Sequence, residues 1–114
     1  MNSQQLDRIF SALADPTRRG ILASLSMGAR NVRQLTADFA ISQPAISRHL
    51  RVLDQAGLVR REKRGRETVV SAQSGSAEEA ASWLTYYVQF WRQHFDEMDR
   101  LLPERVENRD AGRD

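Results

Sequence analysis

No cysteine occurs in the 114 residues, and that absence removes four chemistries together: a disulfide framework, a thiolate metal site, a cysteine nucleophile and a thiol redox switch. No stretch approaches the ~20 apolar residues needed to cross a bilayer. The opening residues MNSQQLDRIF lack the basic start and apolar run of a secretory signal. No membrane partner is therefore expected, and the expected location is cytoplasmic. Lysine is nearly absent too, Lys63 standing alone among 17 basic residues; this bias carries no functional reading. Nucleotide-binding glycine loops and nucleophile elbows are missing, and neither of the two histidines is tied by any recognisable arrangement to a serine and a carboxylate. An enzyme is not expected, and neither is a cofactor.

With 40% hydrophobic residues, a chain of this length holds one modest core and not two. A self-dimer would relieve that shortage. The formal charge of +2 hides an uneven distribution: residues 1 to 29 carry +1, residues 30 to 67 carry +5 and residues 78 to 114 carry −4. A basic middle beside an acidic end is the electrostatic footprint of a nucleic-acid binder, although ordinary mixed surfaces also contain local runs.

Leu6, Ile9, Phe10, Leu13 and Ala14 recur at helical spacing and predict a first helix over 4–14. Asp15-Pro16 supplies an N-cap and a first helical residue for a second helix, with Ile21, Leu22 and Leu25 as its inner stripe and Gly28 as its end. Asn31 followed by Gln34 reads as a capping box opening a third helix with Val32, Leu35 and Phe39 inside. Ser42 then caps a fourth helix with Pro44 in its first turn and Gly57 as its stop. Two short helices joined by a tight turn form a helix-turn-helix, whose second helix is offered to the major groove. Leu58 to Lys63 and Arg66 to Ala72 follow as a hairpin around Arg64-Gly65. After a Ser/Gly linker over 73–77, Glu78 to Leu102 predicts a long last helix ending at Pro103.

On the fourth helix Ile46, His49, Leu50 and Leu53 share the packing side, while Pro44, Ser47, Arg48, Arg51 and Gln55 face outward and Gln43 stands at the edge of that face. Arginine pairs bidentately with guanine, glutamine with adenine, and serine with phosphate or a base edge. Such a stripe alone is usually a solvated face. The hairpin changes its meaning, because Arg60, Arg61, Lys63, Arg64 and Arg66 place five cations in seven residues. A basic hairpin directly after a helix-turn-helix is a wing whose cations meet phosphates or enter the minor groove.

The segments ALADPTRRGILASL and SQPAISRHLRVLDQAGLVRREKRGRE, with the long last helix, resemble the ArsR family of winged helix-turn-helix repressors over nearly all of residues 4 to 102. The resemblance implies a mainly α fold of five helices with a small β-hairpin, forming a homodimer through its first and last helices. It implies repression by binding double-stranded DNA until an effector, here unknown, releases it. By resemblance Gln43, Pro44, Ser47, Arg48 and Arg51 fall on recognition-helix positions, and Lys63, Arg64 and Arg66 on the wing. A dimer would recognise a pseudo-palindromic operator.

Metal-sensing members of that family carry a Cys-rich motif on the third helix or a spaced Asp/His/His/Glu set on the last. The third helix here reads VRQLTADFA, and the last has one histidine, His94, near Asp96, Glu97 and Asp99. No metal site is expected; weak interfacial zinc binding through two copies of His94 is the alternative, and His49 reads as a core or supporting group. On the last helix Ala80, Trp83, Tyr87, Phe90, His94 and Leu101 form one seam, and Leu84, Val88, Trp91, Phe95, Met98 and Leu102 an adjacent one. Two apolar stripes need two partners, one of them a second subunit. The expected interface comprises Leu6, Ile9, Phe10, Trp83, Tyr87, Phe90, Trp91 and His94; an aromatic effector pocket around Trp83, Tyr87 and Trp91 is the sharper alternative. Residues 1–102 read as one domain and 103–114 as a disordered charged tail. A winged-helix module for protein or RNA is the competing function, disfavoured by Arg48 and Arg51 on the face it would need apolar.

Overall fold

The computed structural model describes residues 2–101, and the tail expected over 103–114 lies outside the described residues. Helix α1 covers Ser3–Leu13 and α2 covers Pro16–Leu25; strand β1 covers Arg30–Asn31, α3 covers Val32–Phe39 and α4 covers Gln43–Gln55. Strands β2 (Val59–Arg64) and β3 (Glu67–Ala72) then precede α5, Gly75–Leu101. The chain forms one unit ending at Ala80 and a second beginning at Ala81.

Local chemistry sets most of these boundaries. Asp15 caps α2 by accepting from the Arg18 amide at 3.0 Å, with Pro16 in the first turn. Both arms of the capping box on α3 are made: Asn31 Oδ1 accepts from the Gln34 amide at 2.8 Å, and Gln34 Oε1 accepts from the Asn31 amide at 2.9 Å. Ser42 Oγ accepts from the Ala45 amide at 3.3 Å to open α4. At the far end Gly57 adopts φ +74°, and a Cβ there would lie 2.3 Å from Ser76 Oγ, so both the backbone and the close approach require glycine.

The core of the first unit is built from Ile9 and Ala12 of α1, Ile21 and Leu25 of α2, Leu35 of α3 and Ile46, Leu50 and Leu53 of α4. Val59 and Val70 of the sheet close it. Spacing of four and three residues puts the α4 trio on one side, as the periodicity requires. Helix α4 packs on α1, α2, α3 and β2, which makes it the central element of the unit. Deleting Leu50 to alanine in such a site costs about 2–5 kcal/mol.

The small β-hairpin is a three-stranded antiparallel sheet in the order β1-β3-β2. Val59 to Arg64 pairs with Ala72 to Glu67, and Arg30 and Asn31 pair with Val70 and Val69. A two-residue strand has no period to read, which is why the sequence shows only the hairpin. Two further differences have local causes. Ala40 closes α3 in the left-handed region (φ 53°, ψ 38°), with its amide donating to the Thr36 carbonyl at 3.1 Å; this is where glycine would ordinarily stand. Helix α5 begins at Gly75, within the stretch expected to be a linker, because the Glu78 amide already donates to the Ser74 carbonyl at 2.8 Å.

Candidate nucleic-acid interface

The turn Ala40 to Ser42 joins α3 to α4, and the apolar trio of α4 leaves its opposite face outward. Gln43, Pro44, Arg48 and Arg51 are exposed there, and Ser47 is half-buried at the edge of a groove. Among the described residues, Arg48 and Arg51 make no hydrogen bond or ion pair, so their donors are available to a ligand. The recognition residues expected from sequence thus share one surface.

Pairing register divides the wing into two faces. Val59, Arg61 and Lys63 of β2 lie on one side with Val70 and Thr68 of β3; Arg60, Glu62 and Arg64 lie on the other. Gly65 at φ +63° occupies the first central position of the two-residue turn, as a type II′ hairpin demands. The five wing cations are not equivalent. Arg61 is turned back onto α4, its Nη2 2.8 Å and Nε 3.0 Å from Asp54 Oδ2. Arg64 reaches Glu62 at 3.5 Å between exposed side chains, a weak tie. Lys63 and Arg66 carry no ion pair among the described residues.

Between α4 and the wing runs a groove of about 530 Å³, walled by Gln43, Ser47 and Leu50 on one side and by Arg61, Lys63, Arg66 and Thr68 on the other, Arg61 while paired with Asp54. Asn31 and Arg33 from the start of α3 close its end. Sequence reasoning missed Arg33, which sits some thirty residues from the wing it joins. A signal was present, because a cation in the first turn of a helix opposes the helix dipole and calls for another reason to be there. Glu67 also lines the groove, where the Asn31 side-chain amide donates to it at 3.2 Å.

Behind α4 lies a second polar cluster. The Arg18 guanidinium donates from Nε to the Ala12 carbonyl at 2.8 Å and from Nη2 to the Ser11 carbonyl at 3.1 Å, and its Nη1 lies 3.2 Å from His49 Nδ1. Asp15 Oδ2 is 3.9 Å from the same imidazole nitrogen. The hydrogen bond from the Arg18 main-chain amide, outweighing desolvation, holds the Asp15 carboxyl below its ordinary value; the Arg18 and His49 charges add to this.

The residues expected at a subunit interface divide. Ile9 is fully buried in the chain's own core, so it is not an interface residue, while Leu6 and Phe10 on the same helix are half-buried. In the second unit Trp83, Tyr87 and Phe90 are 39–45% exposed, and Leu84, Val88, Phe95 and Met98 are also open. Trp83 stacks on Tyr87 at 5.3 Å, Tyr87 meets Trp91 at 5.9 Å, and Trp91 meets Phe95 at 5.6 Å, so one aromatic band links the two seams. An apolar hollow of about 450 Å³ lies along Tyr87, Val88, Trp91 and Phe95. His94 packs on the Phe90 ring at 4.1 Å. Among the described residues no group of three His, Cys, Asp or Glu side chains is placed to hold a metal ion. No helix among the described residues is long and apolar enough to cross a membrane.

Comparison with known proteins gives a consistent set of likenesses. The family described as "Bacterial regulatory protein, arsR family" matches residues 15–61, from the α2 cap into the first strand of the wing. The transcriptional repressor SdpR of Bacillus subtilis is 30% identical over 83 residues, covering 73% of this chain and 92% of that one. The HTH-type transcriptional regulator Rv2034 of Mycobacterium tuberculosis is 49% identical over 53 residues, covering 46% of this chain and half of its own length. Among solved structures, an ArsR-like transcriptional regulator from Rhodococcus sp. RHA1 superposes with a TM-score of 0.76 at 28% identity, covering 87% of this chain and 93% of that one.

Proposed function

The chain belongs to the ArsR family of winged helix-turn-helix transcriptional regulators, and from that premise we propose that it is a homodimeric repressor binding duplex DNA at a pseudo-palindromic operator. The observation that carries this reading is the joined surface of α4 and the wing. Gln43, Pro44, Ser47, Arg48 and Arg51 occupy one helix face, and a groove walled by Gln43 and Ser47 on that side reaches Lys63 and Arg66 of the wing, with Arg64 on the other face of the hairpin. Arg48 and Arg51 read base edges, with Gln43 and Ser47 at the start of the helix, where groove-reading residues cluster. Lys63 and Arg66 neutralise phosphates, joined by Arg64 once its exposed tie to Glu62 opens, and these contacts set register without reading sequence.

The dimer rests on α5. Trp83, Tyr87, Phe90, Trp91 and His94 form a band too apolar to face water in a small chain, and a second copy covers it. A two-fold axis then sets the two recognition helices about one turn of DNA apart. Such a repressor works in the cytoplasm beside the chromosome. With no cysteine in the sequence and His94 the single histidine of α5, this reading gives it neither a thiol nor a metal switch.

Titrating labelled duplex DNA selected from the source genome, across a range of salt, tests the proposal. About eight neutralised phosphates per dimer give a slope of log affinity against log salt near −7. A slope near zero, or tighter binding to single-stranded RNA in the same buffer, overturns it.

A further inference from the structure

Arg18 stands on α2, outside the helix-turn-helix, yet its guanidinium bridges the end of α1 to the middle of α4. A guanidinium has donors only, so in this contact the His49 Nδ1 it faces at 3.2 Å is the acceptor. Resting on the regulator reading above, we infer that Arg18 and His49 are positioning residues for DNA recognition: the pair fixes the roll of α4 about its own axis and thereby the placement of Arg48 and Arg51 in the groove.

Ile46, Leu50 and Leu53 hold α4 against the core, but burial is non-directional, whereas a hydrogen bond from a planar fork is directional. Leverage makes roll matter. A rotation of about 10° moves an arginine tip roughly 9 Å from the helix axis by about 1.6 Å, beyond the ~0.5 Å within which a recognition geometry must be held. Arg18 opposes such a roll from a fixed base, since its Nε and Nη2 are anchored on the α1 carbonyls.

The test compares preference for a selected duplex of about 30 base pairs, long enough for two half-sites, over a scrambled duplex of equal length. It uses the full-length protein and its His49→Leu and His49→Asn variants in one buffer. Asparagine keeps an acceptor near the Nδ1 position. His49→Asn keeps the parent preference and His49→Leu lowers it about tenfold, the scale of one lost charge-assisted hydrogen bond, while affinity for the scrambled duplex stays the same in all three. Should His49→Leu fail to fold by circular dichroism, Arg18→Met, which keeps an unbranched side chain without the donors, takes its place. Parent-like preference in a folded His49→Leu or Arg18→Met, or a preference in His49→Asn as low as in His49→Leu, overturns the inference while leaving the regulator reading intact. A parent protein with no duplex preference overturns both.

Discussion

Lys63 and Arg61 sit two residues apart on the same face of the same strand, yet their replacement by alanine should give different salt dependences. Lys63 is unpaired among the described residues, whereas Arg61 is held by Asp54 through two contacts of 2.8 and 3.0 Å. In the proposed dimer about eight neutralised phosphates give a slope of about −7, so that affinity falls roughly 20,000-fold between 50 and 200 mM salt. Lys63→Ala removes two of these contacts per dimer, bringing the slope to about −5.4 and the fall to roughly 2,000-fold. Arg61→Ala removes no phosphate contact. It loosens the hold of β2 on the end of α4 and weakens binding by a constant factor at every salt, leaving the slope near −7. Fluorescence anisotropy at five or six salt concentrations separates the two cases. Equal changes of slope would refute the division between a cation that faces phosphate and one that faces its own fold.

Other outcomes follow from the same geometry. Arg48→Ala should cost about 1–3 kcal/mol of binding and relax preference at a single base position, as a panel of operator variants would show; uniform weakening across the panel would make Arg48 a phosphate contact. Ala40→Gly should raise stability by about 1 kcal/mol in urea titrations, because it relieves a left-handed alanine; no gain would mean that the turn relaxes around the side chain. Asp15, whose carboxyl is held below its ordinary value by the Arg18 amide, contributes stability that is complete above the ordinary carboxylate range and is lost as pH falls through the lowered one. Asp15→Asn keeps the cap without the titration, so its thermal midpoint should decline less steeply in acid than the parent's; superimposable acid limbs would contradict this. Tyr87→Asp should yield monomers by sedimentation, since it buries a charge in the aromatic band; a persistent dimer would move the interface elsewhere.

What could be read from the sequence was what neighbours in the chain decide. Asn31 with Gln34, Asp15 with Pro16, and Ser42 with Pro44 place helix starts through contacts spanning three residues, and the α4 face follows from period alone. What could not be read depends on contacts across the chain. Strand β1 exists because Arg30 and Asn31 find Val70 and Val69 some forty residues away. Arg33 joins the groove only once α3 is set beside the hairpin. Arg61 counts among five cations in any linear reading and leaves that set only when α4 brings Asp54 to it. Ile9 shares a helical stripe with Leu6 and Phe10, and periodicity cannot say which of the three the chain encloses for itself.

In the proposed dimer, the aromatic band of α5 gives subunit concentration a role of its own. There α5 completes its packing against a second copy and association is part of stability, so a dilute subunit is both less stable and unable to span two half-sites. Where monomer predominates, operator occupancy rises with the square of the amount of protein, and a modest fall in synthesis empties the site more sharply than a one-to-one binder would allow. On that proposal the Trp83-to-Phe95 band makes the cell's own supply of the chain a control input.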